Sequence, residues 1–475
     1  MPQRNQWMIL PGLLLLLAPI GSAQDQDAIR QQAREIFQQL IEINTTDSVG
    51  NVTTAAEAMA KRLRDAGFSG QDVVVAGPNE RKKNLIVRLR GSGQQKPILF
   101  LAHLDVVEAR REDWTTDPFQ FIEKDGYFYG RGTVDIKDGA AILVENFIRL
   151  KRAGLAPRRD LILALTADEE GGDFNGVEWL LKHHRDWIEA DFCVNLDGGD
   201  FMSEKGRKIY GAVQASEKVY VDFQFEVKNP GGHSSRPTRD NAIYHLAEGL
   251  TKLENFSFPV QLNEITRSML EKSAAIEGGP LAPDMKAAAQ SPPDSAAIAR
   301  LSENPFYNAI LRTTCVATML SGGHAPNALP QTAQANVNCR ILPGEDPSAI
   351  KETLIKVVDD PKIKVSFVEQ RDADGKLVLP ERVPPSPLHP DLMNAVESAA
   401  TGVWGKLPIM PVMDTGASDG RFLRMSGVPT YGVAGVFLDI DNRRAHGQDE
   451  RVRVQDFYDG VEFNYKLMQA LALAK

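Results

Sequence analysis

Only three cysteines occur in 475 residues, Cys193, Cys315 and Cys339, too few for a disulfide framework. Each lies in a strand-like apolar run, where a cysteine reads as a small buried hydrophobe. No two have the spacing of a zinc-binding pair, so a metal site here has to be built from histidine and carboxylates. Basic residues are in deficit as well: 54 Lys and Arg against 63 Asp and Glu leave a net charge of −9. Without a basic excess to neutralise phosphates, nucleic acid and anionic membranes are excluded as expected partners. Beyond the N-terminus no apolar run reaches the length of a membrane span.

What is there is a chain of ordinary globular composition, 43% hydrophobic and 25% charged, long enough for two domains. Arg4 precedes an apolar run from Trp7 to Ile20, and Gly21-Ser22-Ala23 follows. That is the pattern of a leader, residues 1–23, cleaved near Ala23, and it implies a periplasmic or secreted protein. The alternative is a membrane anchor, for which the run is short.

Along the chain, apolar runs at Ile98–Ala102, Leu161–Thr166 and Phe192–Leu196 alternate with helical patterns at Ala140–Leu150 and Val177–His183. This predicts an α/β domain with a largely parallel sheet. After about residue 215 the period changes to two. Val219, Val221, Phe223, Phe225 and Val227 share one face of a strand, and Ala333–Ile341 and Lys362–Phe367 alternate likewise. Such strands form a sheet with one wet face, usually antiparallel. Helical stretches near Ala242–Leu253 and Ser348–Val358 complete an α+β unit inserted at 216–370, between the two parts of the first domain, 24–215 and 371–475. Gly278–Ser295, rich in Pro, Ala and Gly, reads as an irregular excursion from it.

Acidic and histidine residues gather where the predicted parallel strands end: His103 and Asp105, Glu169 and Glu170, and Asp197. Asp135 lies in the loop GRGTVDIKDG, just before a helix. Ligands of open α/β sheets bind outside the strand C-termini, so these side chains should converge. Convergent carboxylates repel one another unless a cation intervenes, and histidine with carboxylates suits zinc.

The segments LFLAHLDVV, YGRGTVDIKDG, LTADEEGG, VNLDGG, GGHSSRP, GGHAPNALP, NCRILPGED, GASDGRFL and RAHGQDERV occur in that order. Together they resemble the di-zinc metallopeptidase family of aminoacylase, glutamate carboxypeptidase, succinyl-diaminopimelate desuccinylase and carboxypeptidase S. The stretch before Asn308 and the run LRTTCVATMLSGGHAPNALP look most like the carboxypeptidase S branch. The resemblance implies two zinc ions per subunit, with cobalt or manganese as substitutes. Asp135 would bridge them, His103 and Asp197 would hold one, and Glu170 and His446 the other. It makes Glu169 the general base and gives Asp105 the task of orienting His103 through its second ring nitrogen.

For the inserted unit the resemblance implies a lid and dimerisation domain. His233 would donate to the tetrahedral oxyanion after closure or from a partner subunit; a plain surface histidine is the competing reading. Asn327 and Arg340 would contact the substrate, although solvent exposure alone would account for Arg340. Asp419 would frame the site. Two departures from the family pattern are Ile136 after the bridging acid and Asp449 in RAHGQDERV. The expected reaction is hydrolysis of an amide next to a free carboxylate, by a carboxypeptidase or dipeptidase. The alternatives are an N-acyl amino acid hydrolase and a binding module without metal.

Overall fold

The computed structural model describes residues 21–372 and 374–474; the apolar segment read as an export signal lies outside them. The largest element is a ten-stranded sheet. At its centre Ile98–His103 is flanked by Leu161–Thr166 and Phe192–Asn195, both parallel to it, and Thr430–Gly432 extends the parallel run. Every residue of Ile98–His103 and Leu161–Thr166 is buried. Their unbroken apolar runs follow from having both faces covered. Ile98, Phe100 and Ala102 enter the main core, which includes the apolar residues of the helix Lys137–Arg152. Leu99 and Leu101 point the other way, toward Val177, Leu180 and Leu423.

Antiparallel strands flank this centre. Val73–Ala76 and Asn84–Leu89 lie outside Leu161–Thr166, while Arg207–Glu217 and Phe201–Glu204 lie outside Thr430–Gly432. The sheet is therefore parallel where acidic residues gather at strand ends, and mixed at its sides.

A second, four-stranded sheet is wholly antiparallel, in the order Thr314–Gly322, Thr332–Ile341, Val219–Lys228, Ile363–Phe367. Its period-two pattern has a direct cause. Val221, Phe223, Phe225 and Val227 are buried under the helices Ala242–Glu254 and Pro347–Val358, in a core of their own. One residue, Lys218, separates this sheet from Arg207–Glu217 of the first.

Two expectations need correction. Cys315 and Cys339 are not independent buried hydrophobes: they form a disulfide. They face each other across neighbouring antiparallel strands, a register that neither strand's own sequence declares. Gly278–Ser295 is not irregular throughout, because it contains the helix Ala282–Ala288 and leads into Ser295–Ser302. Pro283 sits in the first turn of one, and Asp294 caps the other by accepting from Ala297 N–H. These helices share a small core with Glu264–Glu277 and Pro305–Leu311. Ile265, Met269 and Ile310 pack into the main core.

Candidate metal centre

His103 is the last residue of the central strand and pairs in register with Thr166. The parallel neighbours end at the same level, which brings Glu169, Glu170 and Asp197 to one edge. Asp135 arrives just ahead of the helix Lys137–Arg152, and His446 from the loop between the strands Phe437–Asp439 and Arg451–Arg453. Ligand-type atoms of His103, Asp135 and Asp197 lie within 4.8 Å of one another, and so do those of Asp135, Glu170 and His446. Asp135 belongs to both trios. Its Oδ1 is 3.2 Å from His103 Nε2, and its Oδ2 is 2.9 Å from His446 Nε2, which is also 2.9 Å from Glu170 Oε1. Two His-carboxylate trios sharing one carboxylate, with an oxygen toward each, are a donor set that fits two divalent cations.

The electrostatics point the same way. Burial pushes the Asp197 carboxyl well above its ordinary range, and repulsion from Asp135, Glu170 and Asp419 adds to the rise. Glu169 is raised by burial and by the neighbouring Asp197, Asp419 and Glu170. Burial acts on Asp135 too, but hydrogen bonds with His103 and His446 more than offset it and hold that carboxyl low. The same bonds to Asp135 and Glu170 lift His446 to about 10. Negative charge at this density calls for cations.

Surrounding side chains fix the ligands. His103 Nδ1 is 3.0 Å from the backbone oxygen of Asp105, whereas the Asp105 carboxylate is 3.7 Å away. The orienting contact is thus made by the main chain of Asp105. Its carboxylate instead accepts the N–H groups of Glu169 and Glu170. Asp419 accepts from Asn175 Nδ2 at 2.6 Å and from Thr166 Oγ1 at 3.1 Å, so it ties the strand end to the loop beyond Glu170. Burial, first of all, pushes its carboxyl to about 6. Asp449 accepts both the N–H and the hydroxyl of Thr115, each at 2.9 Å, and so braces a loop.

Residues that the sequence reading passed over supply much of this bracing. Glu450 is fully buried and accepts from Arg131 Nη1 at 2.7 Å, Gly132 N–H at 3.2 Å and Val134 N–H at 2.8 Å. It thereby shapes the loop that presents Asp135. Asp168 pairs with buried Lys82, which also meets Asp47 at 2.7 Å. Arg131 and Asp168 lie inside the quoted motifs; that each needs a buried partner of opposite charge is the signal that could have exposed them.

His233, Asn327 and Arg340 sit on the second unit. His233 is exposed on a two-stranded ribbon with Ala328–Leu329, where its Nδ1 accepts from Ser235 Oγ at 2.7 Å. Ser234 N–H donates to the Asn327 oxygen at 3.0 Å, which brings these two loops together. Arg340 stacks over Tyr220, 4.7 Å from the ring centre. Tyr220 and Glu169 both line a cleft of about 520 Å³.

A model of peptidase family M20/M25/M40 matches residues 99–470. The chain is 29% identical over 383 residues to the N-fatty-acyl-amino acid synthase/hydrolase PM20D1 of Homo sapiens, spanning 79% of this chain and 74% of that one. It is 28% identical over 389 residues to the probable carboxypeptidase S-like 2 of Dictyostelium discoideum, spanning 79% and 71%. In fold it is similar to the M20 family metallo-carboxypeptidase Sso-CP2 from Sulfolobus solfataricus, with a TM-score of 0.68 and 15% identity over 93% of this chain and 99% of that one.

Proposed function

Because the chain belongs to peptidase family M20/M25/M40, we propose that it is a metal-dependent exopeptidase of the carboxypeptidase or dipeptidase type, cleaving an amide next to a free carboxylate. The observation that carries this reading is the sharing of Asp135 between two ligand trios, with Glu169 beside them. His103 and Asp197 would hold one cation and Glu170 and His446 the other, with Asp135 common to both. Zinc is the ion that best suits this donor set. Two such ions, when bound, lower the pKa of water and polarise a carbonyl. Glu169, whose carboxyl is raised by burial and by the neighbouring acids Asp197, Asp419 and Glu170, takes the proton from the attacking water and delivers it to the leaving nitrogen. Asp105 holds the Glu169–Glu170 backbone while this happens. His233, Asn327 and Arg340 would meet the substrate when the two units close on it or when a second subunit supplies them.

A second reading, hydrolysis of N-acyl amino acids, draws on the 29% identity to human N-fatty-acyl-amino acid synthase/hydrolase. Metal-loaded protein assayed on peptide and N-acyl amino acid libraries, with and without chelator, separates the two. Turnover that survives complete chelation would overturn both.

Export fits the N-terminal pattern and the Cys315–Cys339 disulfide, which persists in oxidising compartments. N-terminal sequencing of protein from its source cell should find a start near Gln24; retained Met1 overturns export. Homodimerisation fits the edge strand Thr314–Gly322, where Val316, Met319 and Leu320 are exposed. Light scattering should then give twice the chain mass, and Met319→Lys should give the monomer. Among the described residues no helix is long and apolar enough to cross a membrane.

A further inference from the structure

Where the chain leaves the second sheet it makes a small hairpin, Gln370–Arg371 paired with Leu377–Val378. Asp372 organises its turn by accepting the N–H groups of Asp374 and Lys376. The hairpin is clasped from the other side. Lys182, near the end of the helix Gly176–His183, meets Asp372 at 2.8 Å and also pairs with Asp374, and His183 lies 3.3 Å from Asp374. That helix starts at Asn175, whose side chain donates to Asp419. A chain of contacts therefore runs from the loop after Glu170 to the hairpin.

Beyond the clasp, the hairpin delivers Val378 and Leu379 to the cleft that Glu169 lines, where Tyr220, Phe422 and Met425 add apolar surface and Arg371, Glu381 and Arg421 add charge. Leu379 is 70% exposed, and Val378, Met425 and Tyr220 are each more than a third exposed. Apolar side chains held open around a cleft that reaches the candidate general base are suited to an apolar part of the substrate. We propose that this hairpin is the specificity element of the site. Clasped by Lys182, it holds Val378 and Leu379 as one wall of a pocket for an apolar group on the acyl portion of the substrate, either an alkyl chain or a hydrophobic side chain. The assignment rests on the hydrolase reading above.

The test uses full-length, metal-loaded protein and two substrate series: N-acyl amino acids from acetyl to octanoyl, and dipeptides with N-terminal residues from Gly to Leu. The series that the wild type cleaves identifies the source of the apolar group. In that series kcat/KM should rise with apolar size, and Leu379→Asp should lower the long-to-short ratio about tenfold or more, while Leu379→Met restores it. Lys182→Ala should raise KM for the long member more than for the short one with kcat little changed. High salt should do the same to the wild type, because it screens the clasp. Octanoate binding by calorimetry reads the wall without turnover, and Leu379→Asp should weaken it about tenfold. If neither series is cleaved, the hydrolase reading falls, and octanoate binding still decides the pocket. A long-to-short ratio and an octanoate affinity both unchanged in Leu379→Asp overturn the proposal.

Discussion

Asp105 Oδ2 accepts the backbone N–H of Glu170 at 2.9 Å, and its Oδ1 accepts that of Glu169 at 3.2 Å. One carboxylate thus sets two consecutive glutamates, to which the proposed mechanism gives different ends. Asp105→Asn replaces one acceptor by an NH₂ group facing an N–H donor. Metal affinity and kcat should each fall by roughly 10–100-fold, the usual scale for a group that supports ligands. Titration with a chromophoric chelator and steady-state kinetics read the two effects.

Glu169→Gln keeps the size of the side chain and removes the base. Both metals should stay bound, with kcat lower by roughly 10²–10⁴-fold. Elemental analysis alongside kinetics separates this from ligand loss: a variant that has lost a metal makes Glu169 a ligand instead.

Among the described residues His446 is the only candidate ligand from beyond residue 197, and its backbone is in the left-handed region, with φ at 61°. His446→Ala should leave one cation per chain, held by His103, Asp135 and Asp197, and little activity. Chelation of the wild type should remove both ions and lower the melting temperature, since whatever binds only the native state stabilises it. Two metals per chain in His446→Ala would falsify the pairing.

Glu145, on the helix Lys137–Arg152, is fully buried, and its two carboxylate oxygens lack hydrogen-bond partners among the described residues. Burial raises its pKa from 4.5 to about 8. A carboxyl raised in the folded state costs nothing below 4.5, where both states are protonated. It destabilises increasingly as pH rises to about 8, because the unfolded chain ionises freely, at about 1.4 kcal/mol per pH unit. Glu145→Gln should therefore flatten the decline in stability between pH 4.5 and 8, and the variant should gain on the wild type most at pH 8. Urea unfolding across that range checks the slope.

Cys315→Ser should cost about 3 kcal/mol, the scale for a bridge closing a loop of this length. Under reducing conditions the wild type should approach the variant. Equal stability of the two in oxidising buffer would mean that the bridge does not constrain the chain.

The parallel strands, the period-two strands and the residues at strand ends were legible because each depends on a local pattern: apolar runs, alternation, and an acid or histidine just past a strand. What was not legible depends on pairing between distant segments. Cys315 meets Cys339 through register. Glu450 finds Arg131 across more than three hundred residues, and Asp105 reaches the Glu169–Glu170 backbone rather than only its neighbour His103. The flanking antiparallel strands fall in the same class. Composition misled at Gly278–Ser295, where Pro at a helix start and Ala within it favour helix as much as loop.

The five candidate ligands are spread from His103 to His446 in a chain of 475 residues. Translation proceeds from the N-terminus, so four of them leave the ribosome long before the fifth. The second unit, with its own core, has time to fold in between. A nascent or truncated chain that lacks His446 cannot assemble the trio of Asp135, Glu170 and His446. The hydrolase would therefore be inert throughout its synthesis, and it would acquire its full complement of ions wherever folding ends rather than where it begins.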